Sequence, residues 1–121
     1  MRPTILIVDD HAGFRRSAHR LLDAEGFEVV GESATGESAV SQVRALRPQV
    51  VLLDVLLPDM DGFAVAELLA REGAAPRVVL TSSRDASEFG VRLRRTSAYG
   101  FLGKAELSGA AVCALTGVAL C

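Results

Sequence analysis

An open α/β sheet of five parallel strands, doubly wound with helices on both faces, is the architecture this chain predicts. Three observations point to it. Five short apolar runs alternate with stretches of helical periodicity along the 121 residues. The first and third runs are apolar at every position, as expected of strands covered on both sides. Glycine or proline closes the first three helical stretches, and two more follow, giving a (βα) unit repeated five times. Such alternation with right-handed crossovers builds an open sheet, and five strands favour the order 2-1-3-4-5.

The elements follow in order. Ile5–Val8, Phe27–Val30, Val50–Leu53, Val78–Leu80 and Gly100–Leu102 are too short for helices and mostly rich in β-branched residues, so they are the strands. Between the first two, Phe14, Ala18, Leu21 and Leu22 recur at helical spacing before Gly26, a residue that can cap a helix in the left-handed conformation. Val40, Val43 and Leu46 do the same before Pro48. A third helix is expected from about Asp61 through Phe63, Ala66 and Leu69 to Gly73, a fourth from about Asp85 to Arg95, and a fifth through Val112, Leu115 and Ala119. The sheet is therefore of the flavodoxin-like kind, which binds ligands outside the carboxyl ends of its strands.

Length and composition agree with one domain over 1–121: half the residues are apolar, enough for one core, and no linker, repeat or low-complexity tract divides them. A formal charge of −2 offers no basic field for a nucleic-acid backbone, so proteins are the expected partners. No apolar run approaches the ~20 residues of a membrane span, and Met1-Arg2-Pro3-Thr4 leads directly into the first strand, so a cytoplasmic protein without membrane insertion is expected. Cys113 and Cys121 lack metal or redox spacing and read as reduced thiols, Cys113 as a small buried hydrophobe.

The polar residues collect at the strand ends. Asp9 and Asp10 follow the first strand, Asp54 the third and Thr81 the fourth, while Lys104 lies just beyond the fifth, so all should meet on one edge. Carboxylates gathered in a partly dry cleft repel one another, and a hard divalent cation keeps them ionised. Mg2+ fits best, because it takes one or two carboxylates, keeps waters and leaves a position for a phosphoryl oxygen. Lys104 can oppose one such oxygen, Thr81 can donate a hydrogen bond to another, and Asp54 can attack covalently.

Taken singly, each group has a plainer reading: an N-cap for Asp9-Asp10, a turn for Asp54, a solvated amine for Lys104, core packing for Phe101. Four segments in order and spacing weigh against those readings. They are Ile7-Val8-Asp9-Asp10; Leu53-Asp54-Val55-Leu56-Leu57-Pro58-Asp59-Met60-Asp61-Gly62; Leu80-Thr81-Ser82; and Gly100-Phe101-Leu102-Gly103-Lys104. On them the chain resembles, over essentially its whole length, the response-regulator receiver family of bacterial two-component signalling.

The resemblance implies that Asp54 is the phospho-acceptor, that Asp10 ligates Mg2+ directly and Asp9 mainly through water, and that the Leu56 carbonyl is a further ligand. It implies a sensor histidine kinase or phosphotransfer protein as donor. It further implies that Thr81 moves toward the phosphoryl group, that Phe101 turns inward behind it, and that the face made by helix 4, strand 5 and helix 5 is remodelled for a downstream protein, with a phosphorylation-dependent homodimer as one outcome. No enzyme activity is expected beyond gain and loss of the domain's own phosphoryl group.

Some positions depart from the family's habit. Ala105 replaces the frequent proline after the lysine, which makes a cis peptide there costly. Leu56 is apolar where many relatives are polar, and Ser97 and Tyr99 alter the stretch before the aromatic. Arg92, Arg94 and Arg95 read as a solvated basic run. His11 and His19 lack ligand spacing with each other or with cysteine and are assigned only solvent or kinase contact.

Three other assignments compete. Asp59-Met60-Asp61-Gly62 has the DxD form of a small aspartate-nucleophile phosphatase or phosphotransferase, although it follows Pro58 in a loop rather than a buried strand. A nucleotide- or flavin-binding module lacks any glycine-rich phosphate loop, since Gly31 and Gly36 do not form one. Within the receiver reading, a free-standing regulator is expected, with the receiver fragment of a DNA-binding transcription regulator as its alternative.

Overall fold

Helices on both faces of the sheet explain why the first and third apolar runs have no polar positions. In the computed structural model, which describes residues 2–120, the order is β1 (Thr4–Val8), α1 (Ala12–Ala24), β2 (Glu28–Ser33), α2 (Gly36–Leu46), β3 (Val50–Asp54), α3 (Gly62–Ala70), β4 (Arg77–Ser82), α4 (Val91–Arg95), β5 (Gly100–Gly103) and α5 (Gly109–Thr116). Leu6, Val8, Val51, Leu53 and Leu80 pack one face of the sheet against Ala39 and Val43 of α2 and Val65 and Leu69 of α3. Ile5, Ile7, Val50, Leu52 and Val79 pack the other face against Ala18 and Leu22 of α1 and Val112 of α5. Side-chain period 2 sends neighbours to opposite faces, and both faces are covered.

The five strands pair in parallel in the order β2-β1-β3-β4-β5, as expected. The order reverses between β1 and β3, where Val8 stands opposite Leu53, and the next rung across β3 and β4 sets Asp54 opposite Thr81. That crevice is the usual ligand position in open α/β sheets.

Several boundaries differ from the sequence reading. Phe27 precedes β2 rather than starting it; its N–H bonds the Leu22 carbonyl at 2.9 Å and its ring is fully buried. Asp54 and Thr81 lie within the last rungs of β3 and β4, not after them. The largest difference concerns the fourth helix, expected over Asp85–Arg95. Residues Ala86–Glu88 form only a 3₁₀ turn, and α4 begins after Gly90, whose φ of 49° and ψ of −122° suit glycine alone. Phe89 and Leu93 pack against the α2/α3 core, while Val91 is exposed, so few apolar contacts hold a longer helix together.

Helix α5 is also shorter than expected. Gly117 takes the left-handed conformation and its N–H bonds the Cys113 carbonyl at 2.8 Å, which ends the helix before Ala119. Cys113 is half-buried beside the α1/α5 core, and burial pushes its thiol up, as for an inert small hydrophobe. The readings placed on Met1 and Cys121 lie outside the described residues. No helix among the described residues is long and apolar enough to cross a membrane.

Candidate phosphoryl and cation site

Asp9 leaves β1 with its N–H on the Ser33 carbonyl of β2 at 2.9 Å, which turns its side chain into the crevice. It is completely buried, and its Oδ1 accepts the His11 N–H at 2.8 Å. Asp10 stays partly exposed at the rim. Asp54, 3% exposed at the end of β3, accepts the Leu56 N–H at 3.2 Å through Oδ1. Lys104 reaches in from beyond β5: its Nζ is 2.6 Å from Asp9 Oδ2 and 3.4 Å from Asp54 Oδ2, with the Phe14 ring centroid 4.6 Å away. Thr81 is buried on the neighbouring rung, and its Oγ1 has no hydrogen-bond partner.

Charge follows from this geometry. Burial pushes the Asp54 carboxyl above its ordinary range and the negative Asp9 adds to the rise, while the Leu56 N–H and Lys104 pull it down without prevailing. Burial alone would lower the Lys104 ammonium, but the Asp9 and Asp54 carboxylates outweigh it, so its pKa is raised and the amine stays charged. One ammonium therefore faces two buried carboxylates and a third at the rim.

That excess of carboxylate over ammonium suits a bound cation. Donor atoms of Asp9, Asp10, His11 and Asp54 all lie within 4.8 Å of one another. Asp9 Oδ2 is buried without an aligned donor, although the Lys104 ammonium lies close beside it. Oxygen donors at this spacing suit a hard divalent ion.

The loop after Asp54 is held by close packing. Gly62 donates its N–H to the Val55 carbonyl at 2.8 Å, and a Cβ there would lie 2.4 Å from the Asp54 carbonyl oxygen and 2.7 Å from Val55 Cα. Only glycine lets the start of α3 approach so near. Leu56 leaves the loop with a half-exposed side chain.

Asp59 and Asp61, the candidate nucleophile pair, are engaged elsewhere. Asp59 Oδ1 and Oδ2 accept the N–H groups of Gly36 and Glu37 at 2.8 and 3.0 Å, capping α2, and these bonds hold its carboxyl below the usual range. Asp61 caps α3 by accepting the Phe63 N–H at 2.7 Å and pairs with Arg92. Neither joins the acidic cluster.

Phe101 is half-buried at the back of the site. Its ring centroid is 5.7 Å from that of Phe89, which is 5.8 Å from that of Phe63, and the Arg92 guanidinium lies 4.3 Å from the Phe63 centroid. A cleft of about 650 Å³ opens beside them, lined in part by Ser82, Asp85, Phe101 and Lys104. Tyr99 is exposed with the Arg77 guanidinium 5.7 Å from its ring, and Ser97 ties the α4–β5 loop to α3 by donating N–H and Oγ–H to Glu67. All peptide bonds among the described residues are trans, that before Ala105 included.

The structure thus gathers Asp9, Asp10, Asp54, Thr81 and Lys104, and sets the Leu56 backbone beside the Asp54 carboxylate. It also adds residues that sequence reasoning missed. His11 Nδ1 lies 3.2 Å from both Asp9 Oδ1 and Asp10 Oδ1, while its ring stays 71% exposed to solvent, as expected; its adjacency to the acid pair was the available signal. Arg15 braces the Asp9 carbonyl at 2.5 Å and Glu32 at 3.2 Å, and Glu32 also meets His19 at 2.9 Å. Those contacts cross from α1 to β2, and nothing in local spacing announced them.

Fold and site together define a parallel α/β signalling domain whose acidic crevice lies at the reversal of strand order. The family model described as the response regulator receiver domain matches residues 5–112. The chain belongs to that family, the receivers of bacterial two-component systems. It is 40% identical over 102 residues to the protein-glutamate methylesterase/protein-glutamine glutaminase 5 of Myxococcus xanthus, covering 83% of this chain and 29% of that protein. It is 36% identical over 101 residues to the response regulator GacA of Pseudomonas protegens, covering 83% and 47%. Among solved structures, the signal receiver domain of the response regulator NarL from Mycobacterium tuberculosis superposes with a TM-score of 0.85 at 32% identity, covering 97% of this chain and 98% of that one. The chain spans less than half the length of these two curated relatives.

Proposed function

We propose that Asp54 accepts a phosphoryl group from the phosphohistidine of a sensor kinase or phosphotransfer protein. The observation that carries this reading is the Asp9–Lys104–Asp54 arrangement beside a buried Thr81 hydroxyl that has no partner. In the step, an Asp54 carboxylate oxygen attacks phosphorus, a P–O bond forms, the P–N bond breaks, and the imidazole, already protonated on its other nitrogen, keeps the electron pair and leaves neutral. Asp9, Asp10, Asp54 and the Leu56 carbonyl would hold Mg2+, which when bound supplies positive charge against the phosphoryl oxygens. Lys104 exchanges its Asp54 contact for one phosphoryl oxygen, and the Thr81 hydroxyl donates to another.

The same proposal extends to output. Thr81 drawn toward the phosphoryl group leaves room for Phe101 to turn inward, and Phe89 must follow because the two rings touch. The face of α4, β5 and α5 would thereby change for a downstream protein or a second copy of the chain. We place this exchange in the cytoplasm and assign no turnover of any other substrate. Residues 1–121 serve as one receiver unit, whether as a free-standing regulator or joined to an output segment such as a DNA-binding domain; intact mass of the native gene product separates the two.

The direct test is intact mass after incubation with Mg2+ and a small acyl phosphate. One base-labile phosphoryl group in the wild type and none in Asp54→Asn is expected. Equal labelling of Asp54→Asn would overturn the acceptor assignment.

A further inference from the structure

The acid pair and its neighbouring histidine form one cluster of donor atoms, in which the His11 ring also hydrogen-bonds the Asp9 carboxylate. His11 is the N-cap residue of α1, yet its side chain makes no capping hydrogen bond. Its ring is 71% exposed, so core packing does not fix it either. Instead its Nδ1 stands 3.2 Å from Asp9 Oδ1 and 3.2 Å from Asp10 Oδ1. Two neighbouring ligands at about 2.1 Å from an octahedral ion are separated by about 3.0 Å. The His11–Asp9 and His11–Asp10 separations therefore match two edges of a coordination polyhedron. The backbone maintains them, because the His11 N–H bonds the same Asp9 carboxylate at 2.8 Å and holds the ring over the pair. A second observation widens the set: one donor atom from each of Asp9, Asp10, His11 and Asp54 lies within 4.8 Å of the others, while Asp9 Oδ2 is taken by the Lys104 ammonium at 2.6 Å.

We infer that His11 is a nitrogen ligand of the cation site and biases it toward borderline transition ions over Mg2+. The inference rests on the cation reading given above and concerns which ion that site prefers. An oxygen-only set holds Mg2+ well, whereas an imidazole adds affinity that follows the order Mn2+ < Co2+ < Ni2+ and gives Mg2+ little. The imidazole approaches from the open rim, opposite the side on which Lys104 meets Asp9 Oδ2, so cation and lysine need not compete for one position.

Co2+ is the probe, because its visible absorption reports nitrogen ligation directly. Calorimetric titrations of Co2+ and of Mg2+ would be run on the wild type, His11→Ala, His11→Gln and Asp10→Asn. His11→Gln keeps a hydrogen-bond donor beside the carboxylates but removes the imidazole. Expected is a loss of Co2+ affinity of about tenfold or more in both His11 variants, with Mg2+ affinity changed less than about threefold, the scale on which single metal-site contacts act. The Co2+ spectrum should shift in the same two variants, and Mg2+ should compete with Co2+ in the wild type. Equal losses for both ions, full rescue by glutamine, or an unchanged spectrum would show that His11 only hydrogen-bonds the acids. Mg2+ binding that survives Asp10→Asn undiminished would overturn the cation site itself, an outcome separate from any behaviour of His11.

Discussion

At the scale of single residues, Asp54 holds its carboxylate where burial and Asp9 both disfavour the charge. Asp54 has a raised pKa, so the folded state holds its proton more tightly than the unfolded chain does. Its contribution is neutral when pH is below the unfolded value; stability then falls as pH rises from there through the folded pKa, and the loss is complete above it. Asp54→Asn should therefore melt higher than the wild type at pH 7 without divalent ions, by roughly 4 °C if the relief is about 1 kcal/mol. The gap should narrow toward pH 4 and on adding Mg2+; differential scanning calorimetry with and without chelator reads both trends. Gly62 gives a second prediction. A Cβ would meet backbone of Asp54 and Val55, which no rotamer change can relieve, so Gly62→Ala should cost at least about 2 kcal/mol in urea unfolding and slow phosphorylation.

Between elements, the segment from β4 to β5 has the fewest supports. Its 3₁₀ turn and α4 are tied to the body by the Phe89 ring, by Arg92 on Asp61 and Phe63, and by Ser97 on Glu67. Arg92→Ala should raise amide hydrogen exchange in residues 86–95 by at least about tenfold while leaving the global melting temperature within about 2 °C, because local opening and global unfolding draw on different contacts. Gly90→Ala should destabilise the same segment through its positive φ alone, since nothing lies within 4 Å of the added carbon. The segment also shows where sequence reading stops. Helical spacing of apolar residues defined α1, α2 and α3 because each has a continuous face on the core. Asp85–Arg95 has only Phe89 and Leu93 to offer, and a glycine can sit inside a helix or break it; tertiary contacts decide which.

For the whole molecule, the sheet has one core on each face and no independent half. Leu52→Ala and Leu53→Ala, on opposite faces, should each cost about 2–5 kcal/mol and each still unfold in one transition, with circular dichroism and Tyr99 fluorescence coincident. Strand order was legible because alternation and crossover handedness leave few topologies. The meeting of Asp9, Asp54, Thr81 and Lys104 was legible for the same reason, each being placed by a strand end. His11 over the acids, Arg15 under Asp9 and Phe89 behind Phe101 were not, because side-chain direction depends on loop geometry that periodicity does not encode.

The three tethers of the α4 segment bear on how paralogous pathways stay apart. The proposed phosphoryl chemistry belongs to strand ends in the crevice, whereas Phe89, Arg92 and Ser97 lie outside it on short, weakly held backbone. Substitutions among these positions can therefore redraw the surface offered to a partner while the acceptor keeps its reactivity. A duplicated gene could acquire a new listener by drift at the tethers, with no generation in which it stopped receiving its signal.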